Sequence, residues 1–139
     1  KLAEKVNKGS VLEIFDVAIE TIRYRSTGRE VTTKYAKKIQ KIRTCFTLTA
    51  NQIADAGVKT AYMQLIDQNG VLILGNKKFN TLLSDSSVLC THATEFQYEN
   101  IELTHCFEWE RVQALSPGEY FLNLIIEGQV LAQNKLQLR

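Results

Sequence analysis

A chain of 139 residues, 45% hydrophobic and 23% charged, is enough for one globular domain with a real core and too small to bury the core of a second. One proline and no low-complexity tract argue against disorder, and no apolar run approaches the roughly 20 residues of a membrane helix. The net charge of +2 alone marks no polyanion binder, but it is unevenly spread: Lys1–Arg43 carries 11 basic and 5 acidic residues, the remainder 6 and 10.

Such an asymmetry either marks a nucleic-acid or membrane surface or cancels when the two halves pair. The chain starts at Lys1 with neither a signal peptide nor an initiator Met and reads as a fragment, so it leaves targeting open. Three cysteines, Cys45, Cys90 and Cys106, cannot all pair with one another, which leaves the redox compartment open too.

Residues 1–8 read as the last turns of a helix, with Leu2 and Val6 on one face and Gly9-Ser10 as the stop. From Val11 to Arg25 the chain is β-branched and aromatic. Phe15, Val17 and Ile19 share one face, and Ile22 and Tyr24 the other, which predicts a bulge or sheet switch near Glu20-Thr21. Ser26–Arg29 is a turn into a second limb, Glu30–Thr33. The clearest strand is Lys41–Thr49, with Ile42, Thr44, Phe46 and Leu48 inward and Lys41, Arg43, Cys45 and Thr47 outward. Thr60–Ile66 and Val71–Leu74 flank the hairpin signal Asp67-Gln68-Asn69-Gly70. Gly75–Ser87 is looser, anchored by Phe79, Leu82 and Leu83. Thr94–Trp109 carries one long alternation that places Ile101, Leu103, His105, Phe107 and Trp109 on the core face. Ser116-Pro117-Gly118 turns into a last hairpin, Tyr120–Ile126 and Val130–Leu138, around Glu127-Gly128. Short strands at this spacing, with no useful helical period between them, predict an all-β, immunoglobulin-like antiparallel β-sandwich of about seven strands over residues 11–139, preceded by a linker with a short helical remnant over 1–10, which the resemblance described next makes the end of a stalk.

Three stretches carry a resemblance to a known family: Leu2–Leu12, which looks like the exit from a coiled coil; Lys38–Leu48, similar to the first core strand after it; and Tyr62–Gly70 with Leu115–Tyr120 and its hairpin. Together they resemble the C-terminal domain of uncharacterised Bacteroidetes coiled-coil envelope proteins, often named after chromosome-segregation proteins. The resemblance implies an N-terminal membrane segment, a long coiled coil and a terminal β domain held in the cell envelope. It implies no catalytic or cofactor site. Residues 77–94 depart from the family pattern and are where specificity would vary.

Cys90, His92, His105 and Cys106 invite a zinc reading, but adjacent strand residues such as His105 and Cys106 point to opposite faces and no Cys-x-x-Cys pair exists. A core histidine and isolated thiols are the preferred reading, so neither metal nor cofactor is expected. No nucleophile elbow or phosphate loop is present, which argues against an enzyme. Arg23, Arg25, Arg29, Lys34, Lys37 and Lys38, continued by Lys41 and Arg43 and interleaved with Tyr24 and Tyr35, form the candidate basic surface for nucleic acid. The preferred alternative is a solvated hairpin facing Glu99, Glu102, Glu108 and Glu110. Tyr62, Tyr98 and Trp109 are the candidates for a glycan or peptide platform.

The expected function is a non-catalytic interaction or assembly module with a protein partner, acting through strand edges or loops, with homo-oligomers formed through the stalk. Nucleic-acid binding through residues 23–43 is the alternative. An immunoglobulin-like plan pairs its second strand with its fifth, and parity selects one register, with slips of two residues as its alternatives. Cys45 faces Cys106, Arg43 faces Glu108, Lys41 faces Glu110, Thr47 faces Thr104, Leu48 faces Leu103 and Ile42 faces Trp109. A slip of one residue would bury glutamates and expose Phe107. In this register, half of the basic patch is expected to be neutralised within its own sheet.

Overall fold

The computed structural model describes residues 12–139; the expected helix and stalk end at residues 1–10 lie outside them. Ten strands follow in order: β1 (Ile14–Tyr24), β2 (Glu30–Thr32), β3 (Lys41–Leu48), β4 (Gly57–Asp67), β5 (Phe79–Leu83), β6 (Ser86–Cys90), β7 (His92–Tyr98), β8 (Leu103–Glu110), β9 (Gly118–Ile126) and β10 (Gln129–Leu138). One sheet has the order β2-β1-β3-β8, the other β10-β9-β4-β7, and β5-β6 form a separate hairpin. Every pairing of these ten strands is antiparallel, and the one helical segment among the described residues is a 3-10 turn, Ala36–Lys38. This is the immunoglobulin-like sandwich, with β7 placed beside β4 on the second sheet.

The period-two pattern explains the layers. Ile42, Thr44, Phe46 and Leu48 are fully buried on the inner face of β3, and Met63, Leu65, Leu122, Leu124, Leu136 and Leu138 meet them from the facing sheet. Tyr120 closes one corner, where its hydroxyl donates to the Ser116 carbonyl (2.7 Å) and accepts from the Ser116 N–H (3.0 Å). This is the tyrosine corner of such sandwiches, with Leu122 in place of the cysteine two residues on. Glu127-Gly128, both at positive φ, makes the two-residue turn from β9 to β10.

Several expectations are corrected. The β1–β3 ladder runs without a break from Asp16 to Ile22, so no bulge lies at Glu20-Thr21; the register shift falls between Ile14 and Asp16 and leaves Phe15 58% exposed. Ile22 keeps its outward parity and is buried there, opposite Lys41. Val71–Leu74 forms only an isolated bridge, Leu72 to Ile66. Residues 79–90 are a regular hairpin turned at Ser84, and its Leu82 points outward. The long alternation at 94–109 is two strands in different sheets. Asn100, at positive φ, turns the chain between them and donates to the carbonyls of Asn51 (2.8 Å) and Ala54 (2.6 Å), so Ile101 is exposed.

The β5-β6 hairpin lies against the outer face of the second sheet. Gln64 on that face donates to the Leu89 carbonyl (2.9 Å), and the Ser84 N–H donates to the Gly128 carbonyl (3.3 Å). Ile125, turned outward by alternation, is fully buried there.

Candidate interaction surface

The β3–β8 register is the predicted one at all six positions. Cys45 and Cys106 are joined by a disulfide across neighbouring strands of one sheet, with a Cα separation of 4.0 Å. The reading of isolated thiols therefore holds only for Cys90, which is buried and whose thiol is pushed up to about 11 by burial. Among the described residues no disulfide crosses the core. Thr47 and Thr104 share a hydrogen bond at 2.9 Å on the same outer face.

Beside the disulfide lies an ion network. The Lys41 ammonium meets Glu30 at 2.6 Å and Glu108 at 3.0 Å, 5.3 Å from the centre of the Tyr24 ring. Arg43 bonds Glu108 through two nitrogens and reaches Glu20 (3.2 Å) and Glu30 (3.0 Å). Hydrogen bonds from Lys41 and then Arg43 hold the Glu30 and Glu108 carboxyls below their ordinary value, and the glutamates raise both bases, Glu30 most. Glu110 sits opposite Lys41 in the ladder, but the ammonium turns diagonally to Glu108. Glu99 and Glu102 lie in the β7–β8 connection and take no part. The expectation that half the basic patch is neutralised is therefore too large: Lys41 and Arg43 are the two of its eight bases held by ion pairs among the described residues.

The other six, Arg23, Arg25, Arg29, Lys34, Lys37 and Lys38, gather at one end of the sandwich, in and beyond the β1–β2 hairpin. None of them has an ion-pair partner among the described residues. Tyr24 leaves the exposed set, since its ring packs on Lys41; Tyr35 is 53% exposed, with the Lys38 ammonium 5.7 Å and the Arg139 guanidinium 5.9 Å from its ring centre. The glycan platform does not form: Tyr98 and Trp109 are buried, and the Tyr98 hydroxyl donates to the Thr49 carbonyl at 2.9 Å.

The zinc candidates are also dispersed. Cys106 is consumed by its disulfide, His105 Nε2 shares a hydrogen bond with Thr94 Oγ1 at 2.9 Å, and His92 stacks on Phe107. Burial lowers the pKa of both histidines. Among the described residues no three metal-ligating side chains come together.

The feature that residue-by-residue reading misses is a strand edge. Of the four edge strands, β2 has 3 residues, β7 has 7, β8 has 8 and β10 has 10. β10 is the longest, and Lys135 is its one charged residue, drawn toward Glu119 of its own neighbour at 3.6 Å. At its end the Arg139 N–H donates to the Lys34 carbonyl and the Ala36 N–H to the Arg139 carbonyl, both at 2.8 Å, in the pattern of a parallel strand pair. Strand alternation then turns the N–H and C=O of Gln137, Lys135 and Gln133 to that same side, where no strand pairs with them among the described residues. The sequence signal was there: ten residues, Gln129–Leu138, with a single charge.

A family model described as "Domain of unknown function (DUF8428)" matches residues 15–139. The chain belongs to that family. Its match runs from the second residue of β1 to Arg139. No curated protein matches. Among solved structures, the chain is similar to the Pseudomonas fluorescens alkylpurine DNA glycosylase AlkC bound to DNA containing an abasic site analog, at 10% identity and a TM-score of 0.49, over 99% of this chain and 36% of that one. It is also similar to Northeast Structural Genomics Consortium target SoR45, at 13% identity and a TM-score of 0.39, over 91% and 86% of the two chains. The chain thus spans about a third of the glycosylase's length.

Proposed function

We propose that this DUF8428 domain is a non-catalytic protein-interaction module that binds an extended segment of its partner along the open edge of β10. The observation that carries this reading is the side of Gln133, Lys135 and Gln137 that no described residue pairs with, continuous with a place where the chain's own Lys34–Ala36 already pairs with Arg139. Exposed strand edges bind extended peptides through main-chain hydrogen bonds, with side-chain pockets adding specificity. A non-catalytic role is supported by the chemistry of the groups that would have to act. Cys106 is oxidised, Cys90 is buried with its pKa raised, and both histidines sit among aromatic rings.

The placement at the end of a coiled-coil stalk in the cell envelope rests on the sequence resemblance. The Cys45–Cys106 bond supports it, because structural disulfides persist in oxidising compartments. No helix among the described residues is long and apolar enough to cross a membrane.

Gln137→Pro tests the edge. It removes an N–H that faces the open side and so costs no internal ladder bond. Used as bait in an envelope extract, the wild-type chain is expected to retain a partner that the Gln137→Pro chain loses. Equal capture by both would remove β10 as the binding element.

A second reading, nucleic-acid binding at the basic end, is favoured by one observation: exposed Tyr35 flanked by cations. Withdrawal of Lys41 and Arg43 into their own ion network weakens it. It requires affinity for generic DNA that falls steeply with salt; weak or absent binding to duplex DNA at physiological salt is expected.

A further inference from the structure

The β10 edge ends in a built hollow. Thr33–Ala36 laces the two sheets together at this end: the Thr33 N–H donates to the Thr21 carbonyl of β1 at 2.9 Å, and Lys34 and Ala36 bond Arg139 after β10. Where the edges of β1 and β10 converge below this lace, a hollow of about 450 Å³ has Ile19, Glu20, Thr21, Lys34, Tyr35 and Arg139 in its lining. On the other side of Tyr35 lies a second, of about 350 Å³, formed by Tyr35, Lys37, Lys38, Pro117 and Arg139. The Tyr35 backbone is fixed between them, its N–H donating to Thr33 Oγ1 at 3.1 Å and its carbonyl accepting from the Lys38 N–H at 2.9 Å.

From this arrangement we infer that the strand added to β10 is acidic at the end that reaches Arg139, and that its carboxylates seat around Tyr35 on Lys34, Lys37, Lys38 and Arg139. The inference rests on the edge reading above and names the partner's chemistry. Lys34, Lys37 and Lys38 have no ion-pair partner among the described residues, and Glu20, the one acid that lines the first hollow, is engaged by Arg43. The rest of the edge offers a peptide almost no charge, so specificity concentrates at this end. A nucleic acid fits less well, because Tyr35 stands alone: Tyr24, the other ring of the basic segment, is packed on Lys41. A second copy of the chain would bring an edge as poor in acidic residues as this one.

The test uses two labelled ten-residue peptides of alternating threonine and valine, one ending in three glutamates and the other in three glutamines, with a ten-residue oligothymidylate and sedimentation of the chain alone as further arms. The acidic peptide is expected to bind at least tenfold more tightly than its neutral twin. The difference should collapse in Lys34→Gln/Lys38→Gln and Tyr35→Ala, while Gln137→Pro weakens both peptides. Equal affinity of the two peptides, with both still lost in Gln137→Pro, overturns the acidic partner and leaves the edge reading standing. Binding untouched by Gln137→Pro overturns the edge itself. Tighter binding of the oligothymidylate makes the site a nucleic-acid site. A dimer of the chain abolished by Gln137→Pro makes a second copy the occupant.

Discussion

Lys41 has a side chain only 6% exposed, yet it faces away from the core, because Glu30, Glu108 and the Tyr24 ring close over it. A carboxylate held below its ordinary value contributes stability above the unfolded value that is lost as pH falls through the folded one. For Glu30 and Glu108 that loss lies below about pH 4.5. The histidines act in an earlier window. Burial depresses the folded pKa of His92 and His105 below the ordinary 6.5, so below that pH the unfolded chain takes up protons that the fold resists, and stability falls with acid. The melting temperature is therefore expected to be flat from pH 8 to about 6.5 and to drop by several degrees toward pH 5. His105→Gln should flatten part of the drop; a profile unchanged by that substitution would show that His105 does not titrate in this way. At this scale the sequence reading recovered Arg43 with Glu108 but missed Glu20 and Glu30. Those glutamates sit inside the basic segment: the β1–β3 ladder sets Glu20 directly opposite Arg43, and the β1–β2 hairpin brings Glu30 beside it.

At the scale of elements, β3 and β8 were legible because both alternate strictly and carry bulky inward residues, so parity alone fixed their pairing to within slips of two residues. The Thr94–Trp109 run was not, since β7 and β8 happen to continue one parity pattern across a turn that depends on Asn100 bonding to the distant Asn51–Ala54 loop. The disulfide ties β3 to β8 across 61 residues of sequence. Replacing Cys45 and Cys106 together by alanine is expected to cost about 2–4 kcal/mol in urea unfolding, and reductant should bring the wild type to the same midpoint. A double variant as stable as the oxidised wild type would refute a stabilising role. The open edge of β10 makes a sharper claim, since neighbouring residues should respond oppositely to the same change. Gln133→Pro removes an outward N–H and should leave the melting temperature within a few degrees, whereas Asn134→Pro breaks a bond to β9 and should cost about 3 kcal/mol or more. In amide exchange the Gln133, Lys135 and Gln137 N–H groups should exchange fast beside protected Asn134 and Leu136. Uniform protection along β10 would mean that its edge is already covered.

Across the whole molecule, charge is sorted by end. The β1–β2 turn, the Lys34–Lys38 segment and Arg139 give one end a basic surplus over its acids Asp67, Glu110 and Glu119; the opposite end carries Asp55, Glu99, Glu102 and Glu127, the last paired with Lys59 at 2.6 Å. The surplus seen along the sequence thus resolves only in part within one sheet and mainly into two ends joined by the long, nearly uncharged β10. The most direct measurement is site-specific photo-crosslinking in the cell, with the probe placed at Gln133 on the open edge of β10 and, as control, at Thr104 on the edge strand β8. An adduct with another protein from Gln133, absent from Thr104 and lost on adding Gln137→Pro, is the predicted result. No adduct from Gln133, or the same adducts from both edges, would contradict it.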